Sequence, residues 1–245
     1  MTHKVGTHRV GTSGAALAEE IFDRIRGGLV VSCQAGEDEP LYGCMAGMAR
    51  AARDAGAVGI RAEGPRDIRA IRDAVDLPIL GLYKIRKEGV PVYITPTFES
   101  ACMVVHAGAD VVAIDATTPV RPDGLTLEET IARIHQELNR PVMADVSTLE
   151  EALMAVQAGA DAVAPTLSGY TPQSPRLDGP DWDLLKALIR DIRVPVLMEG
   201  RIWQPDEARK ALELGSWAVV VGSAITRPQL IAARFVQEIR RHASL

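Results

Sequence analysis

The chain has 245 residues, of which 47% are apolar but only 4% aromatic, and its net charge at pH 7 is −5. This length suits one large domain with an aliphatic core. The negative balance speaks against nucleic acid or an anionic membrane surface as a partner. No stretch is long and apolar enough to span a bilayer, and residues 1–28 lack the apolar run of a signal peptide. The three cysteines, Cys33, Cys44 and Cys102, show neither metal-ligand nor disulfide spacing. They read as reduced thiols in a cytoplasmic protein.

Residues 1–14, rich in Gly, Thr, Ser and basic side chains, read as a mobile arm. Leu17, Ile21 and Ile25 recur every four residues, which predicts a helix over 15–26 with Ser13 as its cap. Arm and short helix form segment 1–27, and a catalytic domain occupies 28–245. Within it, short valine-rich apolar runs predict buried strands at 29–33, 58–60, 78–83, 111–114, 141–144, 162–165, 195–198 and 218–221. Helices are predicted between them at 45–55, 66–75, 98–107, 127–138, 149–158, 182–192 and 205–214, with a closing helix at 229–242. A short extended piece at 92–95 precedes the helix at 98–107.

An internal repeat fixes the strand count. AGAVGI (55–60), AGADVVAI (107–114), AGADAVAP (158–165) and LGSWAVVVG (214–222) each end a helix with glycine and then enter a strand. Gly56, Gly108, Gly159 and Gly215 lie 52, 51 and 56 residues apart, about two strand–helix units per period. Eight alternating units with right-handed crossovers predict a single-domain (β/α)8 TIM barrel of the phosphate-binding type. The rival doubly wound sheet lacks its GxGxxG turn after the first strand.

The residues that end the predicted strands are Gln34, Arg61, Lys84, Asp115, Asp145, Thr166, Glu199 and Gly222. Active sites of such barrels lie at the strand C-termini, with phosphate usually after strands seven and eight. Ionisable groups gathered there are costly to bury unless they pair or act. Gln34, Lys84, Asp145 and Glu199, all on odd strands, are expected to share one inward layer. Gly222-Ser223, followed by a helix start at Pro228, offers bare amides to an anion, with Arg227 as a clamp. Plainer readings stand beside these. Lys84 lies in KIRK, which also suits a solvated loop, and Glu199 has Arg201 or Arg61 as an ordinary ion-pair partner. Asp115 and Asp145 suit supporting roles. Cys33 should face away from the mouth as a packed thiol. No metal-ligand cluster is apparent.

Together the runs SCQ (32–34), EPLYG (39–43), GIRAEG (59–64), YITPT (93–97), ADVSTLEEA (144–152), TLSGYTP (166–172), MEGRI (198–202) and VVGSAITRPQ (220–229) resemble the N-acetylmannosamine-6-phosphate 2-epimerase family. The resemblance spans about residues 28–236 and implies a barrel that interconverts N-acetylmannosamine 6-phosphate and N-acetylglucosamine 6-phosphate without cofactor or metal. It implies a catalytic Lys84 and Glu199, substrate contacts from Gln34, Arg61 and Asp145, and a phosphate end at Gly200, Gly222, Ser223 and Arg227. It also implies sialic acid or amino-sugar catabolism, a phosphosugar as the only small-molecule partner, and a homodimer. Where the family often shows a basic pair after the fourth strand, this chain has Thr118-Pro119.

Epimerisation at C2 removes a hydrogen beside the open-chain aldehyde and so needs a base, a proton source on the second face, and stabilisation of the charge on O1. Lys84 must be neutral to act as that base. The second proton has two sources by sequence, Glu199 or a substrate hydroxyl. A Schiff-base aldolase or lyase using Lys84, and a non-catalytic phosphosugar-binding regulator, remain alternative readings of the same barrel.

Overall fold

The computed structural model describes residues 14–243; the expected mobile arm and the Ser13 cap lie outside them, save for Gly14. Eight parallel strands run β1 (Leu29–Cys33), β2 (Gly59–Glu63), β3 (Ile79–Leu82), β4 (Val111–Asp115), β5 (Val142–Asp145), β6 (Ala162–Ala164), β7 (Leu197–Glu199) and β8 (Ala218–Val221). Their order in the sheet is β6-β5-β4-β3-β2-β1-β8-β7. A parallel bridge between Val163 and Val196 joins its two edges, and the Val163 amide donates to the Pro195 carbonyl at 3.0 Å. The sheet thereby closes into the expected (β/α)8 barrel.

Helices α1 (Gly14–Ile25), α2 (Met45–Asp54), α3 (Pro65–Ala74), α4 (Phe98–His106), α5 (Leu127–Arg133), α6 (Leu149–Gln157), α7 (Trp182–Asp191) and α8 (Pro205–Glu213) alternate with the strands. Beyond β8 come a single turn, α9 (Ser223–Thr226), and α10 (Pro228–Ala243). Thr97, Thr126 and Thr148 start α4, α5 and α6 with reciprocal bonds to Ser100, Glu129 and Glu151, which satisfy the first unpaired amides of each helix. The four repeat glycines have φ of +93° to +111°, a backbone region closed to most side chains, and this is why glycine recurs where each chain segment turns from helix to strand.

Side chains alternate strictly across the barrel wall. Val31, Cys33, Ile60, Ala62 and Ile79 point outward and pack with the inner faces of α2 and α3. Val30, Leu80, Leu82, Ala113, Met143 and Leu197 point inward and fill the lower barrel. The short helix α1 belongs to this interior, since Phe22 and Ile25 are buried in the same cluster and close the barrel floor. Trp217 pins it by donating from Nε1 to the Phe22 carbonyl at 2.8 Å.

Three local features depart from the predicted elements. β2 runs on to Glu63, which places Arg61 mid-strand and gives Glu63 the same inward parity. The predicted helix at 127–138 relaxes into a π-helical turn at Ile134–Leu138 and ends on Asn139 in the left-handed region. The extended piece at 92–95 turns back on the end of β3: Ile85 donates to the Tyr93 carbonyl at 2.9 Å and Thr95 to the Tyr83 carbonyl at 2.7 Å. Bridges Lys84–Ile94 and Lys87–Val90 complete a small hairpin whose root is Lys84.

Candidate active site

Inward parity continues past the apolar rows to the strand ends, where polar side chains replace Leu and Val. A cavity of about 420 Å³ opens there, and Gln34, Arg61, Lys84, Thr166, Glu199 and Gly222 are among the residues that line it. In an eight-stranded barrel β3 and β7 stand four strands apart in either direction. Lys84 and Glu199 therefore meet the cavity from opposite sides. The solvated-loop reading of Lys84 does not hold, because its side chain is only 26% exposed.

Beneath the cavity lies a buried charge network. Arg61 is 1% exposed and forms a fork on Asp145, with Nη2–Oδ2 at 2.5 Å and Nη1–Oδ1 at 3.0 Å, and it also makes a close ion pair with Glu199. The Thr166 hydroxyl lies 2.6 Å from Asp145 and 3.2 Å from Glu199. Burial alone would favour neutral Arg61, but the two carboxylates outweigh it and raise its pKa further. Glu199 is pushed up by burial; Arg61 opposes this, while the Asp145 charge adds to it. Burial thus makes Glu199 more readily protonated than an exposed glutamate.

Lys84 moves the other way. Burial lowers its pKa, Glu63 opposes that, and the charges of Arg61 and Arg227 lower it further. The amine donates to Gln34 Oε1 at 2.6 Å and lies 3.4 Å from Glu63. A lysine shifted down and a carboxyl shifted up, lining one cavity from opposite sides, have the shifts that acid–base chemistry near neutral pH requires.

The anion end adjoins β8. Gly200, Gly222, Ser223 and Arg227 all line the cavity. Gly222 is the N-cap of α9, with no side chain capping it, and a helix start leaves its first amides without a partner inside the helix. Arg227 pairs with Glu39 at 3.1 Å and is thereby held at the rim.

The structure brings together the expected layer of Gln34, Lys84 and Glu199, but it sets Asp145 apart. Asp145 is fully buried and does not line the cavity; both its oxygens are taken by Arg61 and Thr166. In this structure Asp145 supports Arg61, the residue of the pair that lines the cavity. Glu199 pairs with Arg61 and not with Arg201, whose guanidinium donates to the Ser168 and Gly179 carbonyls. Asp115 accepts the Thr117 and Tyr93 amides and fastens the hairpin root, as a supporting residue should. Cys33 faces α2, its thiol pushed up to about 12 by burial. Sequence reasoning passed over Glu63, although its two-residue spacing from Arg61 gave it the same face. It also passed over Arg86 and Tyr93 of the hairpin, whose place at the cavity required the fold-back to be seen. Among the described residues, no group of three His, Cys, Asp or Glu is arranged to hold a metal ion.

Fold and site together define a (β/α)8-barrel protein with acid and base groups opposed across one polar cavity. The chain belongs to the N-acetylmannosamine-6-phosphate epimerase family: the family model described as "Putative N-acetylmannosamine-6-phosphate epimerase" (NanE) matches residues 45–241. A relative from Caldanaerobacter subterraneus subsp. tengcongensis, described in the same terms as a 2-epimerase, is 52% identical over 224 residues, covering 90% of this chain and 94% of its own. One from Cutibacterium acnes is 46% identical over 230 residues, covering 92% and 100%. The solved structure of the N-acetylmannosamine-6-phosphate 2-epimerase from Clostridium perfringens is 40% identical with a TM-score of 0.86, covering 96% of this chain and 99% of that one. A thiamine phosphate pyrophosphorylase from Pyrococcus furiosus shares the fold at 21% identity and a TM-score of 0.57, covering 84% and 89%.

Proposed function

We propose that this protein interconverts N-acetylmannosamine 6-phosphate and N-acetylglucosamine 6-phosphate by exchanging the proton on C2. The observation that carries this is the opposition of Lys84 and Glu199 across the cavity, with the bare amides at Gly222-Ser223 and Arg227 beside it. Family membership supports the substrate. The phosphate takes the Gly200, Gly222, Ser223 and Arg227 end, and the open-chain sugar then lies between the two opposed groups. Neutral Lys84 takes the C2 proton: the C2–H bond breaks, an N–H bond forms, and the electron pair moves onto C1 and O1 as an enolate. Protonated Glu199 then delivers its proton to the other face of C2. It is left as a carboxylate against Arg61, a pairing that stabilises the charge it has just acquired. Lysine as ammonium and glutamate as carboxylate are the protonation states from which the reverse reaction starts.

The test is proton NMR of the protein with N-acetylmannosamine 6-phosphate. The expected result is the gluco epimer, growing until both epimers are present at equilibrium. Cleavage products, or substrate fixed to Lys84 by borohydride, would replace this reading with a Schiff-base lyase. Binding without any conversion would leave a regulator.

This reaction belongs to sialic acid and amino-sugar breakdown. A cytoplasmic setting is supported by a substrate whose charged phosphate does not cross membranes unaided and by three free cysteines. Among the described residues no helix is long and apolar enough to cross a membrane. The homodimer finds support in α10. Every residue from 232 to 241 is exposed, including Phe235 at 68% and Ile239 at 69%. One turn apart on one helical face, these two side chains form an apolar stripe that association with a second copy would bury. Phe235→Glu is expected to convert a dimer to a monomer in sedimentation, whereas wild type sedimenting as a monomer would remove the dimer.

A further inference from the structure

Glu63, the last residue of β2, neither takes nor gives the proton on C2. It pairs in register with Leu82 of β3, two residues before Lys84. Its side chain is 23% exposed and does not line the cavity, yet its carboxylate lies 3.4 Å from Lys84 Nζ. The second neighbour of that nitrogen is Gln34 Oε1 at 2.6 Å. Gln34 presents its oxygen to Lys84 because its amide nitrogen donates to Ser32 Oγ at 2.8 Å.

A neutral lysine has two N–H bonds and one lone pair. Here Gln34 Oε1 accepts one N–H bond, and the Glu63 carboxylate, an ion-pair neighbour at 3.4 Å, stands within reach of the second, which leaves the lone pair. We infer that Glu63 is a positioning residue: with Gln34 it takes up both N–H bonds of neutral Lys84 and leaves the lone pair directed into the cavity. This rests on Lys84 being the base. When Lys84 captures the C2 proton, the new N–H stands where the lone pair stood, and the bonds to Gln34 and Glu63 hold the ammonium in place for the return step. Glu63 acts through Lys84 alone, since it does not reach the cavity.

Glu63 also differs from Gln34 in charge. The charged groups facing Lys84 are Glu63 and Arg61 on β2 and Arg227 after α9. Across the cavity stands Glu199 on β7, and Arg86 and Tyr93 come from the hairpin. Glu63 is the carboxylate among these in contact with Lys84; it favours the ammonium, while both arginines oppose it.

Two variants separate orientation from charge. Glu63→Gln keeps an acceptor oxygen and removes the charge. The expected result is near-normal kcat at the plateau, with the acidic limb of the kcat/KM–pH profile moved to lower pH because Lys84 sheds its proton more easily. Glu63→Ala removes the acceptor as well, and kcat should fall about tenfold, the size typical of lost support behind a reacting group, with KM within about twofold. A Glu63→Gln limb unmoved from wild type, or Glu63→Ala with unchanged kcat, would overturn the inference. Lys84→Ala run in parallel distinguishes the failures. If that variant is active, the base assignment itself has failed. If it is inactive while the Glu63 variants behave as wild type, only the role of Glu63 has.

Discussion

Replacing Lys84 with alanine should lower kcat by about two to four orders of magnitude, the usual contribution of a positioned general base, while phosphosugar binding survives. The geometry argues for this split. Lys84 stands two residues past the end of β3, whereas the proposed anion end lies at β8 and the loop after β7, so the proposed phosphate contacts do not include the amine. Nothing else in contact with that nitrogen is a substitute base in the same place, because Gln34 cannot take a proton and Glu63 does not line the cavity. Calorimetric titration with the phosphosugar alongside turnover checks both halves. Near-normal turnover in the variant would refute the assignment, and loss of binding together with turnover would show that Lys84 holds the substrate instead.

The largest effect on stability is expected from Arg61→Leu. The wild-type guanidinium sits between Asp145 and Glu199, and both it and Asp145 are essentially unexposed. Removing it leaves two carboxylates close together without a cation, a situation that costs about 3–5 kcal/mol. For a chain of this size the melting temperature should drop by roughly 10 °C or more. The deficit should depend on pH. Glu199 is already raised by burial, and without Arg61 to oppose this it titrates higher still in the folded state than the value of about 4 in the unfolded chain. The folded variant then holds more protons than the unfolded one, so its stability falls as pH rises through the raised folded values. The gap to wild type is thus expected to be smaller at pH 5 than at pH 8. Thermal melts at the two pH values check it; a gap that is equal at both, or no gap at all, would mean that Arg61 does not neutralise the pair. Arg61→Leu combined with Asp145→Leu should recover part of the loss, since one unpaired charge is removed.

Much of this site was legible because the rules that place it are local. Alternation along a strand told which way Gln34, Lys84 and Glu199 point, and the same rule turned Cys33 outward. The glycines that end helices recur because the backbone there is left-handed, and their spacing counted the strands. What remained hidden depends on neighbours distant in sequence. Arg61 finds Asp145 and Glu199 from 84 and 138 residues away, and nothing near any of them states which carboxylate will be covered and which will reach the cavity. Glu63 was hidden because the apolar run that marks β2 in the sequence ends at Ile60; with the strand running to residue 63, the alternation that picks out Arg61 also picks out Glu63. The hairpin after β3 escaped notice because its strands are held by isolated bridges between residues ten and three apart. Its root supplies the catalytic candidate, so the most consequential irregularity of the barrel lies next to Lys84.

Lys84 is proposed to remove the hydrogen from C2, and deuterium incorporation at that carbon measures this most directly. Wild type and Lys84→Ala would be incubated with N-acetylmannosamine 6-phosphate in deuterated water and followed by proton NMR. The predicted result is gluco epimer carrying deuterium at C2 with the wild type, and neither epimer nor label with Lys84→Ala. Label entering C2 at the wild-type rate in Lys84→Ala would contradict the account, because another group would then be breaking that bond.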